Sequence, residues 1–257
     1  MPKHKQRGRI IAQKMLCENV YDLWIEEEEI AKNAMPGQFV SVFLKDRSRK
    51  LPRPISICEI GEDKKSFRLV YRITAKGSGT EEMSTYREGE SLELMGPFGN
   101  GFALDREEVM LIAGGIGIPP MLELAKRLPG EKTAVLGYRD GNTFLSGEIG
   151  KYAKLHIASE DGSAGSKGNV MDLIREKNLR SRTVMACGPR AMLKAVSEYC
   201  MENEIECFLS LEERMACGIG ACLACVCKTG EKDEYSHVHN KRICKEGPVF
   251  AAKEVIL

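Results

Sequence analysis

The sequence predicts a multi-domain β plus α/β chain. An N-terminal antiparallel β-barrel is followed by a doubly wound parallel α/β unit and a small cysteine-rich C-terminal module. Three observations carry this reading. Residues 1–100 hold short strand-like runs separated by turn signals. Residues 101–210 alternate apolar runs with helical stretches. Residues 211–257 hold four cysteines at close spacing and little regular pattern.

In the first part, Phe67, Leu69, Tyr71 and Ile73 alternate with Arg68, Val70 and Arg72, a strand period with one apolar exception at Val70. The stretches 38–44 and 54–58 read the same way, with turns at 35–37, 61–63 and 88–90. Several short strands at this spacing suggest a barrel. Residues 80–86 read as one short helix. Gly96-Pro-Phe-Gly-Asn-Gly101 is a cluster of breakers and marks the boundary with the next unit. After it, 109–113, 133–138, 155–158 and 183–186 are apolar runs of buried-strand length. Helical stretches at 120–128, 169–177 and 191–201 lie between or after them, which implies a parallel sheet.

Composition narrows the function classes. The chain has 257 residues, 43% of them hydrophobic, enough for a sizeable core in more than one domain. A net charge of +1 argues against nucleic acid as the main partner. No stretch approaches the ~20 apolar residues of a membrane span, and the basic stretch 1–14 has no apolar run of signal-peptide length. Ten cysteines without such a signal point to a reducing compartment, the cytoplasm, with thiols kept for metal.

The spacing Cys217-x4-Cys222-x2-Cys225, with Cys244 following after 18 residues, is that of a plant-type [2Fe–2S] site. Three thiolates must reach one small cluster from a tight loop. Gly218 and Gly220 allow the loop to fold back, and Ala216, Ala221 and Ala224 do not crowd it. Cys227 is an alternative to Cys225, although the spacing is complete without it. A structural zinc site also uses four cysteines, but its usual second C-x2-C pair is missing here. His237 and His239 flank the segment and read as surface residues, since four cysteines suffice.

Four further motifs suggest nucleotide chemistry. Arg53-Pro54-Ile55-Ser56 begins a barrel strand, where the Arg can hold a pyrophosphate and the Ser can meet a flavin edge; the bland alternative is a solvated arginine. Arg72 and Lys76-Gly77-Ser78-Gly79-Thr80 place glycines and two cap candidates before a helix, as at an anion site or an ordinary capped turn. Gly114-Gly115-Ile-Gly117-Ile-Pro-Pro120 follows a strand and opens a helix, with glycines where a pyrophosphate needs close approach. Cys187-Gly-Pro189 repeats this strand–turn–helix logic, placing Cys187 at a strand's carboxyl end. Arg139 suits a ribose 2′-phosphate and Asp140 a 2′-hydroxyl, so NAD and NADP both stay open.

Taken in order, these motifs resemble the ferredoxin–NADP reductase superfamily with a C-terminal cluster domain. More closely, Arg53-Pro-Ile-Ser-Ile57, Tyr71-Arg72 with Gly77-Ser-Gly-Thr80, the 114–120 loop, Cys187-Gly-Pro189, 213–222 and 244–250 resemble the electron-transfer subunits of type B dihydroorotate dehydrogenases, the PyrK family. The resemblance implies an FAD-binding barrel (1–100), an NAD-binding α/β domain (101–210) and a [2Fe–2S] cluster domain (211–257). It implies flavin contacts from Arg53, Pro54, Ile55, Ser56, Val70, Tyr71, Arg72, Gly77, Ser78 and Thr80. Gly114, Gly115, Gly117 and Cys187 would line the NAD site, and Cys217, Cys222, Cys225 and Cys244 would hold the cluster. In the wider superfamily a tyrosine usually precedes the serine of the flavin motif; Ile55 stands there in this chain. The resemblance further implies a separate FMN-containing catalytic subunit in a heterotetramer of two plus two. Electrons would pass from that FMN through the cluster and FAD to NAD+ in pyrimidine (UMP) biosynthesis, and no side chain of this subunit need act as acid or base. Nothing here resembles an eight-stranded barrel able to oxidise dihydroorotate itself.

Two alternatives remain at this level. One is a flavin and iron–sulfur subunit of another NAD(P)H-linked complex, such as a ferredoxin-dependent transhydrogenase or a sulfide dehydrogenase. The other is a regulatory module with a zinc-stabilised tail and a nucleotide-sensing α/β domain.

Overall fold

The computed structural model describes residues 4–232 and 237–257, so the first three residues of the basic N-terminal stretch lie outside it. Six strands, β1 (Gln6–Cys17), β2 (Val20–Glu26), β3 (Phe39–Phe43), β4 (Arg53–Ile60), β5 (Ser66–Arg72) and β6 (Ser91–Phe98), close into a barrel in the order β1–β2–β5–β4–β3–β6. All neighbours are antiparallel. The predicted period in β5 is real: Phe67, Leu69 and Tyr71 are buried in the barrel core with Ile10, Leu23 and Ile57. Val70, the exception to that period, points the other way, into a second core shared with Leu111, Ile118 and Leu122. An apolar outward position marks the side of the barrel that the next unit covers.

Two short helices belong to the barrel. The sequence reading missed α1 (Glu28–Asn33), because an acidic run reads as exposed loop. Its N-terminus is capped by the Glu27 carboxylate, which accepts from Ile30 N–H (2.7 Å), and Ile30 and Ala31 are buried. The second, α2 (Gly79–Ser84), lies where a helix was expected and is capped by Ser78 Oγ, which accepts from Glu81 N–H (3.2 Å). The cluster 96–101 does not break the chain at its start, since β6 runs through Gly96 and Pro97 to Phe98. A side chain at Gly96 would meet Val40 at 2.9 Å, so glycine here serves a close strand crossing.

The second sheet is built from β7 (Glu108–Gly114), β8 (Glu131–Tyr138), β9 (Lys154–Ser159), β10 (Ser166–Lys167), β11 (Thr183–Cys187), β12 (Glu206–Ser210) and a later strand β15. Its order is β10–β9–β8–β7–β11–β12–β15. The first six strands are parallel. Helices α3 (Pro119–Arg127), α4 (Ser146–Ile149), α5 (Val170–Glu176) and α6 (Arg190–Glu202) lie between them in sequence. The C-terminal stretch adds a small hairpin, β13 (Val226–Lys228) with β14 (Asn240–Arg242), and then β15 (Val249–Ala251), which pairs antiparallel with β12. This corrects the reading of little regular pattern there: three-residue strands are too short to show a period, and pairing with Phe208–Ser210 makes β15 a strand. No helix among the described residues is long and apolar enough to cross a membrane.

A buried polar seam joins barrel to sheet. Arg68, 3% exposed, makes a paired contact to Asp22 (2.8 and 2.9 Å) within the barrel and also donates to Glu59 (3.1 Å). The same guanidinium reaches Glu148 of α4 (2.6 and 3.2 Å). Lys126 of α3 donates to Glu59 (2.8 Å), and Ile60 N–H donates to the buried Glu123 of α3 (3.0 Å). Replacing Arg68 with Met leaves the Asp22 carboxylate buried with only the exposed Lys14 ammonium 3.8 Å away. Loss of a partner from a buried pair costs about 3 kcal/mol or more. Chemical denaturation of Arg68→Met should show a loss of that size, and Glu148→Gln, at the solvent edge of the seam, a loss of about 1 kcal/mol or less.

Candidate functional site

The strand order places a switch point between β7 and β11, where the connections leave in opposite directions. Ligands of open α/β sheets bind outside the carboxyl ends of such strands. Gly115 turns the chain after β7 with φ +54, and the direction its side chain would take is open space. Gly117 has no such room: a Cβ there would lie 2.5 Å from the Cys187 carbonyl oxygen, so the two strand ends pack backbone on backbone.

Three hollows meet at this point. An inner one of about 120 Å³ lies among Phe39, Pro54, Ser56, Cys187, Ser210 and Met215. A larger cleft of about 420 Å³ is lined by Arg72, the 114–117 loop, Pro189, Leu211, Ile243 and Leu257 among others. An outer one of about 250 Å³ lies among Asn19, Arg72, Arg139, Asp140 and Phe144. The first two share Ile116, Gly117, Gly188, Leu211, Glu212 and Glu213, and the last two share Arg72 and Gly115.

On the barrel side the sequence-predicted residues divide. Pro54 and Ser56 line the inner hollow. Ile55 turns toward the barrel core instead, as alternation along β4 requires. Arg53 lies against Gly79, where a Cβ would sit 2.2 Å from its Nε, and that buried Nε has no hydrogen-bond partner. An orphaned guanidinium nitrogen beside a glycine turn fits an anionic group. Gly77 (φ +74) faces open space, and its N–H is taken by the Glu81 carboxylate (2.5 Å), so the turn already holds an anion of the chain's own. Thr80 is buried, and its Oγ1 accepts from Thr74 N–H (3.1 Å). Val70 and Tyr71 are buried away from the hollows; the Tyr71 hydroxyl donates to Gln13 (3.2 Å), and burial raises its pKa. Arg72 alone of that strand reaches the cleft.

On the sheet side, Gly114, Gly115 and Gly117 line the cleft. Burial pushes the Cys187 thiol up to about 12, against the opposing effect of the Ser210 hydroxyl, so it stays protonated at neutral pH and is no nucleophile. Arg139 and Asp140 both line the outer hollow, and Asp140 Oδ1 accepts from Asn142 N–H (2.8 Å). Ser210 and Glu212, at the end of β12, were missed with that strand.

The four cysteines stand as two pairs, Cys217 beside Cys222 and Cys225 beside Cys244. Backbone N–H groups point at the sulfurs: Gly220 to Cys244 Sγ (3.1 Å), Ala221 to Cys217 Sγ (3.3 Å) and Cys244 to Cys225 Sγ (3.4 Å). Burial raises the Cys217 thiol, but the amide of Ile219, the Cys222 thiol and the amides of Cys222 and Ala221 outweigh it and bring the group down to about 7. The Cys244 thiol, with the amides of Cys244 and Ile243, pulls Cys225 down to about 6 against burial, and Cys225 in turn holds Cys244 up. Cys217 and Cys225 are therefore drawn toward the thiolate, the form that binds metal. Among the described residues no three His, Cys, Asp or Glu side chains converge on one ion-sized point. Zinc takes four ligands on one centre, whereas a [2Fe–2S] cluster takes two on each of two irons, so the paired arrangement fits the cluster. Cys227 sits apart, its Sγ donating to the Lys241 carbonyl (3.5 Å). His237 and His239 are exposed, and His239 Nδ1 lies 2.9 Å from the Gly230 carbonyl.

Two residues not singled out from sequence hold this loop in place. Arg242 donates to the Gly220 carbonyl (2.9 Å) and pairs with Glu246. Asn100 donates through Nδ2 to the Glu246 and Val249 carbonyls (3.1 and 2.7 Å) and accepts at Oδ1 from Val249 N–H (2.9 Å). Its own N–H donates to the Gly247 carbonyl (2.6 Å). The breaker cluster was legible; its role as an anchor for a segment about 150 residues on was not.

Comparison with known proteins defines the class first. The model of the iron–sulfur cluster binding domain of dihydroorotate dehydrogenase B matches residues 212–256. A structure described as that of an NADH-dependent reduced ferredoxin–NADP oxidoreductase superposes with a TM-score of 0.86 and 28% identity, over 97% of this chain and 89% of that one. A ferredoxin–NADP+ reductase from Neisseria gonorrhoeae superposes at 0.65 and 13% identity, over 77% and 91%, and shares the fold. The dihydroorotate dehydrogenase B (NAD(+)) electron transfer subunit of Geobacillus sp. (strain WCH70) is 39% identical over 98% of this chain and 99% of its own length. That of Enterococcus faecalis (strain ATCC 700802 / V583) is 39% identical over the full length of both. The chain belongs to the family of dihydroorotate dehydrogenase B electron transfer subunits.

Asn100→Ala removes three side-chain hydrogen bonds to the 246–249 turn, a loss of about 2–4 kcal/mol at roughly 1 kcal/mol each. Limited proteolysis should then cut within 211–257 earlier than in the wild type, while fragments of the barrel persist.

Proposed function

We propose that this chain is the electron-transfer subunit of an NAD-linked dihydroorotate dehydrogenase. It would pair with an FMN-containing catalytic subunit, two copies of each, in the cytoplasm, and serve pyrimidine biosynthesis. The observation that carries the reading is the inner hollow. It touches the barrel at Ser56, the parallel sheet at Cys187 and the cysteine module at Met215 and Pro248, so one small space adjoins all three units. Relatives of this name match along the whole chain, which favours this reading over other complexes built from the same modules.

When bound, the [2Fe–2S] cluster supplies single-electron transfer and FAD couples it to hydride transfer with NAD+. The chain's own residues bind and shield. Arg53 would offer its orphaned Nε to the FAD pyrophosphate, with Ser78 nearby, and the Glu81 carboxylate would have to leave the Gly77 N–H for that turn to join in. Pro54 and Ser56 would face the flavin ring, and Cys187, protonated and neutral, would close the opposite wall. Gly114, Gly115 and Gly117 would admit the NAD+ pyrophosphate to close backbone approach, with Arg72 across the cleft. Cys217, Cys222, Cys225 and Cys244 would hold the cluster.

Protein purified without air should contain two irons, two sulfides and one FAD per chain; zinc without flavin would overturn the reading in favour of a regulatory module. Cys225→Ser should lose most of the iron and keep FAD, whereas Cys227→Ser should keep both. Arg53→Met should weaken FAD about 10- to 100-fold, the loss of one charge-assisted bond of about 1.5–3 kcal/mol. Its iron content should stay at the wild-type value.

A further inference from the structure

After β15 the chain runs back along the cysteine hairpin. Thr229 and Val255 form an antiparallel bridge, Gly230 N–H donates to the Glu254 carbonyl (3.2 Å) and Ile256 N–H to the Lys228 carbonyl (2.9 Å). This pairing carries Ile256 and Leu257 to the wall of the 420 Å³ cleft that the glycine loop also lines. Cys227 of β13 and Ile243 beside β14 line the same cleft. Ile256 is 54% exposed, so its side chain does little for the core, and an apolar group at the mouth of a cleft gains by being covered.

We infer that Ile256 and Leu257 are positioning residues for the dinucleotide: the cysteine module supplies an apolar wall against which NAD seats. The inference rests on the reading that this cleft takes NAD. The glycine loop and Arg72 offer backbone and charge suited to phosphates, whereas Ile256 and Leu257, backed by the buried Ile243, offer an apolar surface suited to a ring. The wall also adjoins the metal-ligand candidates. Ile243 precedes Cys244, its N–H donates to the Cys225 carbonyl (2.9 Å), and Cys227 lies two residues beyond Cys225. A nucleotide in the cleft therefore packs on the segments that carry the buried cysteine pair.

The test uses the full chain, loaded with FAD and cluster under anaerobic conditions. The probe is tetrahydro-NADH, a dinucleotide that cannot give up hydride. Ile256→Ala and Leu257→Ala should each weaken its binding about five-fold, and Ile256→Met should restore it to within about two-fold. In NADH oxidation with a dye as acceptor, the loss should fall on KM rather than kcat. FAD and iron contents should equal those of the wild type; loss of iron in the alanine variants would make the tail a structural prop and overturn the proposal. Unchanged affinity in both variants, with a wild type that binds the probe, overturns this inference alone. A wild type that binds no dinucleotide removes the reading of the cleft and this inference with it.

Discussion

The site depends on how the barrel is held against the α/β sheet, and that hold centres on one buried guanidinium. Arg68 is nearly enclosed, with Asp22 and Glu59 on its own side of the seam and Glu148 on the other. A purely apolar interface would be as stable, since desolvating a charge costs roughly what its pairing returns. What paired charges add is register: a planar fork of donors meets its carboxylates in few orientations. The inner hollow lies between Ser56 of the barrel and Cys187 of the sheet and is only about 120 Å³ in volume, so a small sliding of one unit on the other would close or open it. α3 carries the same constraint directly. It follows the glycine loop and is tied to β4 through Glu123 and Lys126, which joins that loop to the strand that begins with Arg53.

The C-terminal module is attached by different means. Ile243, Phe250, Ala252 and Val255 pack into the core of the sheet, and the module also joins the body through a sheet edge, a turn and an asparagine. β15 completes the sheet beside β12, the 246–249 turn is pinned by Asn100, and Gly218 lies against Ser41 of β3. Each is backbone-centred, which suits a loop whose side chains are largely cysteine, glycine and alanine. The amide donors aimed at the cysteine sulfurs also come from the backbone; with the Cys222 thiol they offset the burial of Cys217, while at Cys225 the Cys244 thiol does most of this and the amides add to it.

The sequence made visible what local period and local spacing encode. The alternation in 67–73, the apolar runs of the parallel strands and the 217–225 cysteine spacing were legible because each is written within about ten residues. What stayed hidden depends on distant partners. Val70 appeared as a flaw in a period, and only the packed sheet shows it to be the outward contact. Ile55, in the middle of a suggestive tetrapeptide, faces the barrel core because a strand alternates. Asn100 looked like one more turn residue. β15 is a strand only because β12 lies beside it, and β12 leads straight into Leu211 and Glu212, which wall two of the hollows.

The two cysteine pairs are not equivalent, and the difference gives the module a direction. Cys225 and Cys244 are 2% and 3% exposed and are backed by Ile243, which lines the cleft. Cys222 is exposed, and its neighbours Ile219 and Leu223 are 53% and 51% exposed. A purely structural metal site gains nothing from a thiol and two large apolar side chains at the surface, because water competes for the ligands and the apolar area is left uncovered. A site that exchanges electrons gains from both, since transfer needs close approach and an apolar rim can be covered by whatever approaches. One pair is therefore buried behind Ile243, and the other reaches the surface at Cys222.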